Sequence, residues 1–408
     1  MEQWRTYTLE ELTIGKGTYG IGASAVPYDS SKYTYLRITD INDDGTLNKN
    51  ELKSVDDVDA DKYVLQVNDI VFARTGNSTG RSYFYDGSDG VLVYAGFLIK
   101  FSLDPAKVNP RIMKYYTHSQ EYYDWVKSFD TGGTRGNINA KTYGSMPITL
   151  PPRDIQDKIV EVLKSLDEKI ELNKRINDNL EQQAQALYKS WFVDFEPFKG
   201  GEFIESEIGE IPAGWSIVKF GDIVEIPKKT INPQKFPDTI FNHYSLPACD
   251  NGLIAEVQAG KDIMSNKIIL QSNTTLFSKL NPRIKRIWFT CEVLPNSICS
   301  TEFIPYRAKI DTEYSYIFSI VNSDAFYSSV MGCVNGATGS HQRFHAEDTE
   351  DFLCAYNKDA VNEFSKLIEP VLKQMHDLRQ ENVKLALTRD TLLPKLMSGE
   401  LKINEIDC

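Results

Sequence analysis

A long helix is predicted over residues 151–192, PPRDIQDKIVEVLKSLDEKIELNKRINDNLEQQAQALYKSWF. After two prolines, apolar residues recur at intervals of three and four, the spacing that collects them on one face of an α-helix. Asp154 stands where an N-cap residue is expected. At a rise of about 1.5 Å per residue, the helix would be roughly 55 Å long. A helix of that length cannot be buried within one small domain.

A second long helix is predicted near the C-terminus, because the first one recurs there. When residues 155–191 are placed over residues 360–396, an offset of 205, five apolar residues coincide: Leu163, Leu166, Ile170, Leu180 and Leu187 fall on Ile368, Val371, Met375, Leu385 and Leu392. Asp154 falls on Asp359, so the same N-cap is expected in both helices. Gly399 is the residue expected to end the second helix.

The segments that precede the two helices also correspond. Gly132-Gly133-Thr134 matches residues 336–338, and residues 69–74 resemble residues 273–279 with one residue of slippage. Trp4 near the start of the chain matches Trp215. An offset that drifts so little across half a chain indicates an internal repeat. Each copy is predicted to contain a mixed α/β domain, a Gly-Thr loop and a long helix, so that the whole is an α+β protein.

Both helices carry apolar residues at seven-residue spacing, which defines the a and d positions of a coiled coil. The predicted seam consists of Leu163, Leu166, Ile170, Asn177, Leu180, Leu187, Ile368, Val371, Met375, Leu378, Asn382, Leu385 and Leu392. A buried Asn on each helix would cost stability but would penalise slipped registers. The economical arrangement is an antiparallel pair with a pseudo-two-fold axis. The alternative, in which each helix packs on its own domain, remains open.

If the helices pair in this way, the two similar domains stand at opposite ends of a rod. Such a protein would hold two surfaces at a fixed separation. DNA has a local dyad and a helical repeat of about 34 Å, which makes it a natural ligand for this arrangement.

Composition limits the class of protein. With 408 residues, of which 41% are hydrophobic and 25% charged, the chain suits a globular protein of two or three domains. The start of the sequence does not resemble a signal peptide, and no run of about 18 apolar residues suggests a membrane span. A cytoplasmic location is therefore expected. None of the six cysteines forms a C-x-x-C pair, so no metal site is predicted.

The sequence offers no convergent catalytic motif. GKGTYG, residues 15–20, matches G-x-G-x-x-G, but Pro27 and the absence of a helical pattern argue against a dinucleotide site. No G-x-x-x-x-G-K-[ST] loop occurs, so ATP hydrolysis by this chain is not expected. The Asn-Pro pairs at Asn109 and Asn281 lack the aromatic residue that would stack a flipped adenine. A non-catalytic binding protein is predicted.

Four loops have the residue types that contact DNA, and they occur at matching places in both halves. Arg makes bidentate contacts to guanine and Asn to adenine, while Ser, Thr and backbone amides hold phosphates. The net charge of −12 excludes a uniformly basic surface but not a local basic face. The predicted DNA-binding residues are Arg74, Thr75, Asn77, Ser78, Thr79, Arg81, Thr134, Arg135, Asn137, Lys279, Arg283, Lys285, Arg286, Thr338, Ser340, His341, Gln342 and Arg343. Alternatively, these loops are simple turns.

With this repeat, the chain resembles the specificity (S) subunits of type I restriction–modification systems, the HsdS family. The resemblance covers essentially the whole length. It is carried most specifically by residues 150–195, by GEIPAGW at residues 209–215, and by TRDTLLPKLMSGEL at residues 388–401. One departure is that MEQWRTYTL lacks the P-x-G-W preface of the second half, although Trp4 keeps the anchor position.

The resemblance implies an organisation and a set of partners. Residues 1–150 would be the first target recognition domain, 151–196 the central helix, 197–355 the second domain and 356–408 the C-terminal helix. Each domain would read one half of a split, asymmetric duplex DNA sequence. The helices would set the gap and dock two methyltransferase subunits, through which restriction subunits join. S-adenosylmethionine, ATP and Mg²⁺ would be bound by those partners and no cofactor by this chain.

A competing interpretation assigns the chain to another class. It would be a coiled-coil scaffold whose two domains bind proteins rather than DNA. The observation that would distinguish the two interpretations is whether Arg74, Arg135, Arg283 and Arg286 line one continuous concave face.

Overall fold

A computed structural model describes residues 4–49, 51–129, 136–334 and 342–403. The chain divides into two compact units. Unit 1 comprises Met1–Glu168 and Ala386–Cys408, and unit 2 comprises Lys169–Leu385. Each long helix contributes one portion to each unit.

Unit 1 is built from short strands and three short helices. Its strands are β1 (Arg5–Thr8), β2 (Thr18–Tyr19), β3 (Ala25–Pro27), β4 (Tyr33–Leu36), β5 (Lys53–Val55), β6 (Asp69–Ala73), β7 (Ser82–Tyr85), β8 (Leu92–Tyr94), β9 (Leu98–Ser102) and β10 (Pro147–Leu150). Its short helices are α1 (Ile112–Tyr116), α2 (Gln120–Lys127) and α3 (Ala140–Gly144). The strands form one sheet in the order β2-β9-β6-β7, another in the order β3-β5-β4-β8, and the pair β1-β10. The first long helix, α4 (Arg153–Phe192), follows β10 directly.

Unit 2 repeats much of this plan. Its strands are β11 (Phe203–Ser206), β12 (Gly209–Pro212), β13 (Ser216–Lys219), β14 (Val224–Glu225), β15 (Thr230–Ile231), β16 (Ile240–Tyr244), β17 (Glu256–Ala259), β18 (Lys267–Ile269), β19 (Thr274–Ser278), β20 (Ile287–Thr290), β21 (Ser297–Ser300), β22 (Phe303–Ala308) and β23 (Leu353–Tyr356). Its helices are α5 (Phe220–Ile223), α6 (Leu246–Asp250), α7 (Tyr314–Asn322), α8 (Asp324–Gly332) and the second long helix, α9 (Lys358–Ser398). The sheets run β14-β22-β19-β20 and β15-β18-β21-β16-β17, beside the pairs β13-β23 and β11-β12.

The internal repeat extends to the register of the strands. In unit 1, Asp69 of β6 lies opposite Ser102 of β9. In unit 2, Thr274 of β19 lies opposite Arg307 of β22, and both residues are 205 positions later in the chain. The one-residue slippage expected here from the sequence is therefore wrong. An offset of 205 aligns these strands without a gap.

The predicted α+β fold with two paired long helices is confirmed. In unit 2, Asn173 of α4 contacts Asn382 of α9, and the rings of Phe192 and Phe364 lie 5.1 Å apart. Residue numbers thus rise along α4 as they fall along α9, so these portions run antiparallel. In unit 1, Asp167 of α4 contacts Arg389 of α9, and Leu163 shares a core with the end of α9.

The predicted seam residues fall into two groups by burial. The buried ones are Leu163, Asn177, Ile368 and Met375. The partly buried ones are Leu166, Ile170, Leu180, Leu187, Val371, Leu378, Asn382, Leu385 and Leu392. Other residues of the two helices are buried although they lie outside this list, among them Asn173, Ala184, Leu372 and Leu393. Asn382 makes its hydrogen bond to Asn173, not to its sequence equivalent Asn177.

The ends of the long helices differ in part from expectation. Asp154 lies inside the first turn of α4, and Asn357, not Asp359, caps α9 by accepting the backbone N–H groups of Asp359 and Ala360. The predicted N-caps are therefore wrong. The C-terminal end agrees with the sequence: α9 ends at Ser398, and Gly399 adopts a φ of 73°. That left-handed conformation suits glycine.

Candidate nucleic-acid interface

Two loops of equal length occupy equivalent positions in the two units. Loop A, residues 74–81, joins β6 to β7, and loop B, residues 279–286, joins β19 to β20. Loop A contains six of the residues predicted from the sequence to bind DNA, and loop B contains four. Because the preceding strands share one register, the two loops can be compared residue by residue.

Both loops open on the same backbone contact. The N–H of Arg74 donates to the carbonyl of Phe97 at 3.1 Å, and the N–H of Lys279 donates to the carbonyl of Glu302 at 2.9 Å. Phe97 and Glu302 are themselves equivalent, since both stand directly before the strand that pairs with the loop's own strand. The side chain beside the first cation of the loop is thus aromatic in unit 1 and acidic in unit 2.

Both loops also close in the same way. The N–H of Ala73 donates to the carbonyl of Arg81 at 2.8 Å, and the N–H of Ser278 donates to the carbonyl of Arg286 at 3.0 Å. These bonds fix where each loop ends. They leave the intervening residues to vary without disturbing the sheet.

The closing arginines are held by acidic partners. Arg81 contacts Asp43 at 2.7 Å and donates to the carbonyl of Ile41 at 3.0 Å. Arg286 makes two hydrogen bonds to Asp250, at 2.6 and 2.9 Å, and this carboxylate raises the pKa of the guanidinium. Both side chains therefore stabilise their loops, and either would have to leave its partner to contact another anion.

Arg74 differs, because aromatic rings and not acids surround it. Its guanidinium carbon lies 5.0 Å from the ring centre of Tyr19 and 6.0 Å from that of Phe97, within the range of cation–π contacts. Its Nε is buried and has no hydrogen-bond partner. The Arg74 carbonyl accepts the N–H of Ile138 at 3.0 Å, while the Tyr19 hydroxyl accepts the N–H of Ala140 at 3.1 Å. The site therefore joins four separate segments of unit 1.

The other predicted residues of loop A have different environments. Asn77 is exposed and Thr75 half-buried, so both are accessible. Ser78 is buried, and the Thr79 hydroxyl donates to the carbonyl of Gly136 at 2.9 Å. Ser78 and Thr79 thus hold the loop in place, while Asn77 and Thr75 are available to a ligand.

Loop B presents its cations unequally. Arg283 is exposed, and Lys279 is half-buried. The ammonium of Lys285 donates to the carbonyl of Asn322 at 2.6 Å and lies 5.7 Å from the ring centre of Tyr327. Lys285 therefore already has an acceptor for its ammonium, whereas Arg283 is exposed to solvent.

The predicted residues just after the second Gly-Thr loop pack beside loop B. The Gln342 carbonyl accepts the N–H of Asn281 at 2.8 Å. Arg343 makes two contacts to Glu302, at 3.2 and 3.1 Å. Like Arg81 and Arg286, Arg343 already has a carboxylate partner.

Five of the predicted DNA-binding residues fall in parts of the chain that the structure does not describe. Thr134, Arg135, Thr338, Ser340 and His341 lie outside the described residues. Asn137, which follows the first Gly-Thr loop, is described and exposed.

Sequence reasoning missed two aromatic residues of the Arg74 site, Tyr19 and Phe97. Tyr19 lies within GKGTYG, whose glycines have packing roles. A Cβ on Gly17 would approach the ring of Phe101 to 2.4 Å, and one on Gly20 would approach the Tyr94 carbonyl oxygen to 2.3 Å. The cluster of small residues was the available signal, because it indicates close backbone approach as well as phosphate binding.

The described part of the chain contains neither a cluster of metal-binding side chains nor a membrane-spanning helix. No group of three or more His, Cys, Asp or Glu side chains there could hold a metal ion. No helix in the same ranges is long and apolar enough to cross a membrane.

The chain is similar to known proteins of one family. The family model for the type I restriction modification DNA specificity domain matches residues 1–182. The type I restriction enzyme MjaIX specificity subunit of Methanocaldococcus jannaschii is 24% identical over 306 residues, which are 72% of this chain and 69% of that protein. The HindI specificity subunit of Haemophilus influenzae is 29% identical over 209 residues, 49% of this chain and 43% of that protein.

A solved structure shares the fold. The crystal structure of a type I restriction–modification S subunit from M. genitalium superposes with a TM-score of 0.56 at 15% identity, covering 97% of this chain and 96% of that one. At this identity the likeness concerns the fold alone.

Proposed function

Because the chain belongs to the family of type I restriction–modification specificity subunits, which are non-catalytic, we propose that its two domains each read one half of a bipartite DNA target. The domains differ in sequence, so the target is asymmetric. Loops A and B supply contacts to it, together with the residues that follow the two Gly-Thr loops. The subunit acts in the cytoplasm, where the DNA is.

The equivalence of loops A and B is the observation that carries this proposal. Both loops start and end on the same backbone bonds, yet they differ at all six positions between their end residues. A scaffold that keeps its anchors and varies the residues between them suits two readers of unlike sequences. The competing scaffold function, with two protein-binding domains, has no observation of this kind in its favour.

The paired helices would dock two methyltransferase subunits. Leu172 and Leu367, both in the unit 2 portions of the helices, are 46% and 50% exposed. Apolar side chains at such exposure are suited to burial by a partner. Restriction subunits would join through the methyltransferases, and those partners would supply S-adenosylmethionine, ATP and Mg²⁺.

A domain exchange tests the reading function. The chain is co-expressed with its methyltransferase subunit, and the methylated sequence is determined by single-molecule sequencing. Replacing residues 1–150 with the same region of another S subunit should change one half of the target. Replacing residues 197–355 should change only the other half. A perfect palindrome, or the loss of both halves in either exchange, would contradict the proposal.

Co-purification tests the docking function. Leu172→Glu and Leu367→Glu should reduce the amount of methyltransferase recovered with the tagged chain, because a buried charge would face an apolar partner surface. Gln182→Glu, at an exposed position of α4, the helix that carries Leu172, is the matched control. Full recovery of the methyltransferase with both leucine variants would place docking elsewhere.

The partners would also supply much of the positive charge that DNA binding requires. The chain itself has a net charge of −12. Binding of duplex DNA by the isolated chain should therefore be weaker than by the complex and should have a shallower dependence on salt. Equal affinity and equal salt slope would contradict this division of charge.

A further inference from the structure

We propose that Arg74, held between Tyr19 and Phe97, contacts a guanine in the half-site that unit 1 reads, and that unit 2 has no equivalent contact. The inference rests on the proposed function and adds to it a residue, a base and a difference between the two domains. Tyr19 and Phe97 act as positioning residues, because they hold the guanidinium and need not touch the base.

The first argument is the incomplete bonding of Arg74. Its Nε is buried without an acceptor, and the described residues contain no ion pair to its guanidinium. Buried donors without a partner are few in native proteins, because each has lost its water. Three other arginines that were predicted to bind DNA, Arg81, Arg286 and Arg343, each have a carboxylate partner. Arg74 is therefore available to an external acceptor.

The second argument is the nature of its neighbours. Tyr19 and Phe97 are 42% and 56% exposed, which is high for aromatic side chains. A planar guanidinium that stacks on rings keeps the N–H groups at its edge free, and its orientation is restricted before a ligand arrives. Guanine presents O6 and N7 as a pair of acceptors in the major groove, and bidentate Arg is its commonest partner.

The third argument is the contrast with unit 2. The residue equivalent to Phe97 is Glu302, which holds Arg343 through two contacts. The residue equivalent to Arg74 is Lys279, whose ammonium cannot form a bidentate fork. In unit 2 the carboxylate of Glu302 takes the place of the Phe97 ring. It pairs with Arg343, so Arg343 is not available to contact a base. The two domains therefore differ in chemistry at one structurally equivalent position.

The test uses the complex with the methyltransferase subunits. Methylation rates are measured on duplexes that carry each of the four base pairs at every position of the wild-type target. Arg74→Lys keeps the charge but loses the fork, so discrimination for G·C at one position of one half-site should fall about tenfold or more. Phe97→Glu introduces the acid that unit 2 has and should relax the same position. Arg5→Ala, at an exposed arginine of β1, should change neither half-site.

Three results would overturn the proposal. In the first, Arg74→Lys retains wild-type discrimination at every position. In the second, Arg74→Ala weakens binding uniformly across sequences and lowers the salt slope by about one, as a phosphate contact would. In the third, the relaxed position lies in the half-site that changes when residues 197–355 are exchanged. Thermal unfolding of each variant identifies a folding defect. If Arg74→Ala does not assemble with the methyltransferase subunits, the base discrimination of Arg74→Lys alone tests the proposal.

The proposed function and this inference can fail separately. If exchange of residues 1–150 changes one half-site while Arg74→Lys has no effect, only the assignment of Arg74 is wrong. If that exchange changes nothing, the reading function itself is wrong.

Discussion

Asn173 of α4 donates a hydrogen bond of 2.9 Å to Asn382 of α9, and the same amide group donates to Glu381 at 2.7 Å. Asn173 is fully buried, and its own Oδ1 has no partner. The contact is a polar link within an apolar helix pair. Such a link favours one register over its neighbours at a cost in stability.

Asn173→Ala should lower the free energy of unfolding by about 1–2 kcal/mol, because it leaves polar atoms of α9 without a donor. Replacing both Asn173 and Asn382 with Leu should recover part of this loss, since both buried amides are then gone and Glu381, which loses the Asn173 donor, keeps its ion pair with Lys169. Urea denaturation measures both effects. Gln182→Ala, exposed on the same helix, is the control. If Asn173→Ala is as stable as the wild-type chain, the hydrogen bonds contribute nothing.

The stability of unit 1 should depend on pH through Asp167. Burial would raise the pKa of this carboxyl, but Lys114 and Arg389, each 2.9 Å away, more than offset that and hold the pKa below its ordinary value. A lowered folded-state pKa contributes stability above the unfolded-state pKa of about 4, and the contribution is lost as the pH falls through the folded value.

Asp167→Asn should therefore destabilise the protein at pH 7 by about 2 kcal/mol and should make its melting temperature less sensitive to pH below about 4. Melting temperatures at pH 7 and at acidic values down to about 2.5 measure both effects. Glu161→Gln, exposed on the same helix, is the matched control. An unaltered acid limb in Asp167→Asn would show that other carboxyls govern it.

Gly20→Ala should destabilise unit 1 by about 2–3 kcal/mol, because the new methyl group would lie 2.3 Å from the Tyr94 carbonyl oxygen and 2.4 Å from that of Ala95. Backbone atoms cannot move aside as a flexible side chain can. Gly22→Ala meets nothing within 4 Å and should be nearly neutral. Thermal unfolding of the two variants measures the difference. Equal melting temperatures would contradict the close approach of Gly20 to the backbone of Tyr94 and Ala95.

Gly399→Ala should cost about 1–2 kcal/mol, since its φ of 73° disfavours a side chain and a Cβ would lie 3.1 Å from the ring of Trp4. Gly332→Ala, at the end of α8, meets open space in an ordinary conformation and is the control. Denaturation curves compare the two variants. A neutral Gly399→Ala would mean that the end of α9 does not require a left-handed residue.

The long helices were predictable because their signal is local and repeated. Seven-residue spacing places Leu163 and Ile368 on the seam, and both are buried. The partner of Asn382 was not predictable from the repeat, because residues that match in sequence do not face each other in an antiparallel pair. Asn173, which lies one helical turn before Asn177, takes that place.

The partners of the predicted cations could not be predicted from the sequence, for a different reason. The sequence around Arg81 and Arg286 predicts unpaired side chains on polar loops, yet each has an acidic partner distant in sequence. Asp250, for example, lies 36 residues before Arg286. Such pairs depend on how strands and loops come together. The ring contacts of Arg74 depend in the same way on the pairing of β2 with β9.

The matched closures at Arg81 and Arg286 have an evolutionary consequence. Each loop begins and finishes on main-chain bonds that do not depend on the side chains between them. The six residues between the two ends could be exchanged together by recombination or accumulated mutation without refolding the sheet beneath. A lineage could in that way acquire a new modification pattern while retaining its assembly, one domain at a time.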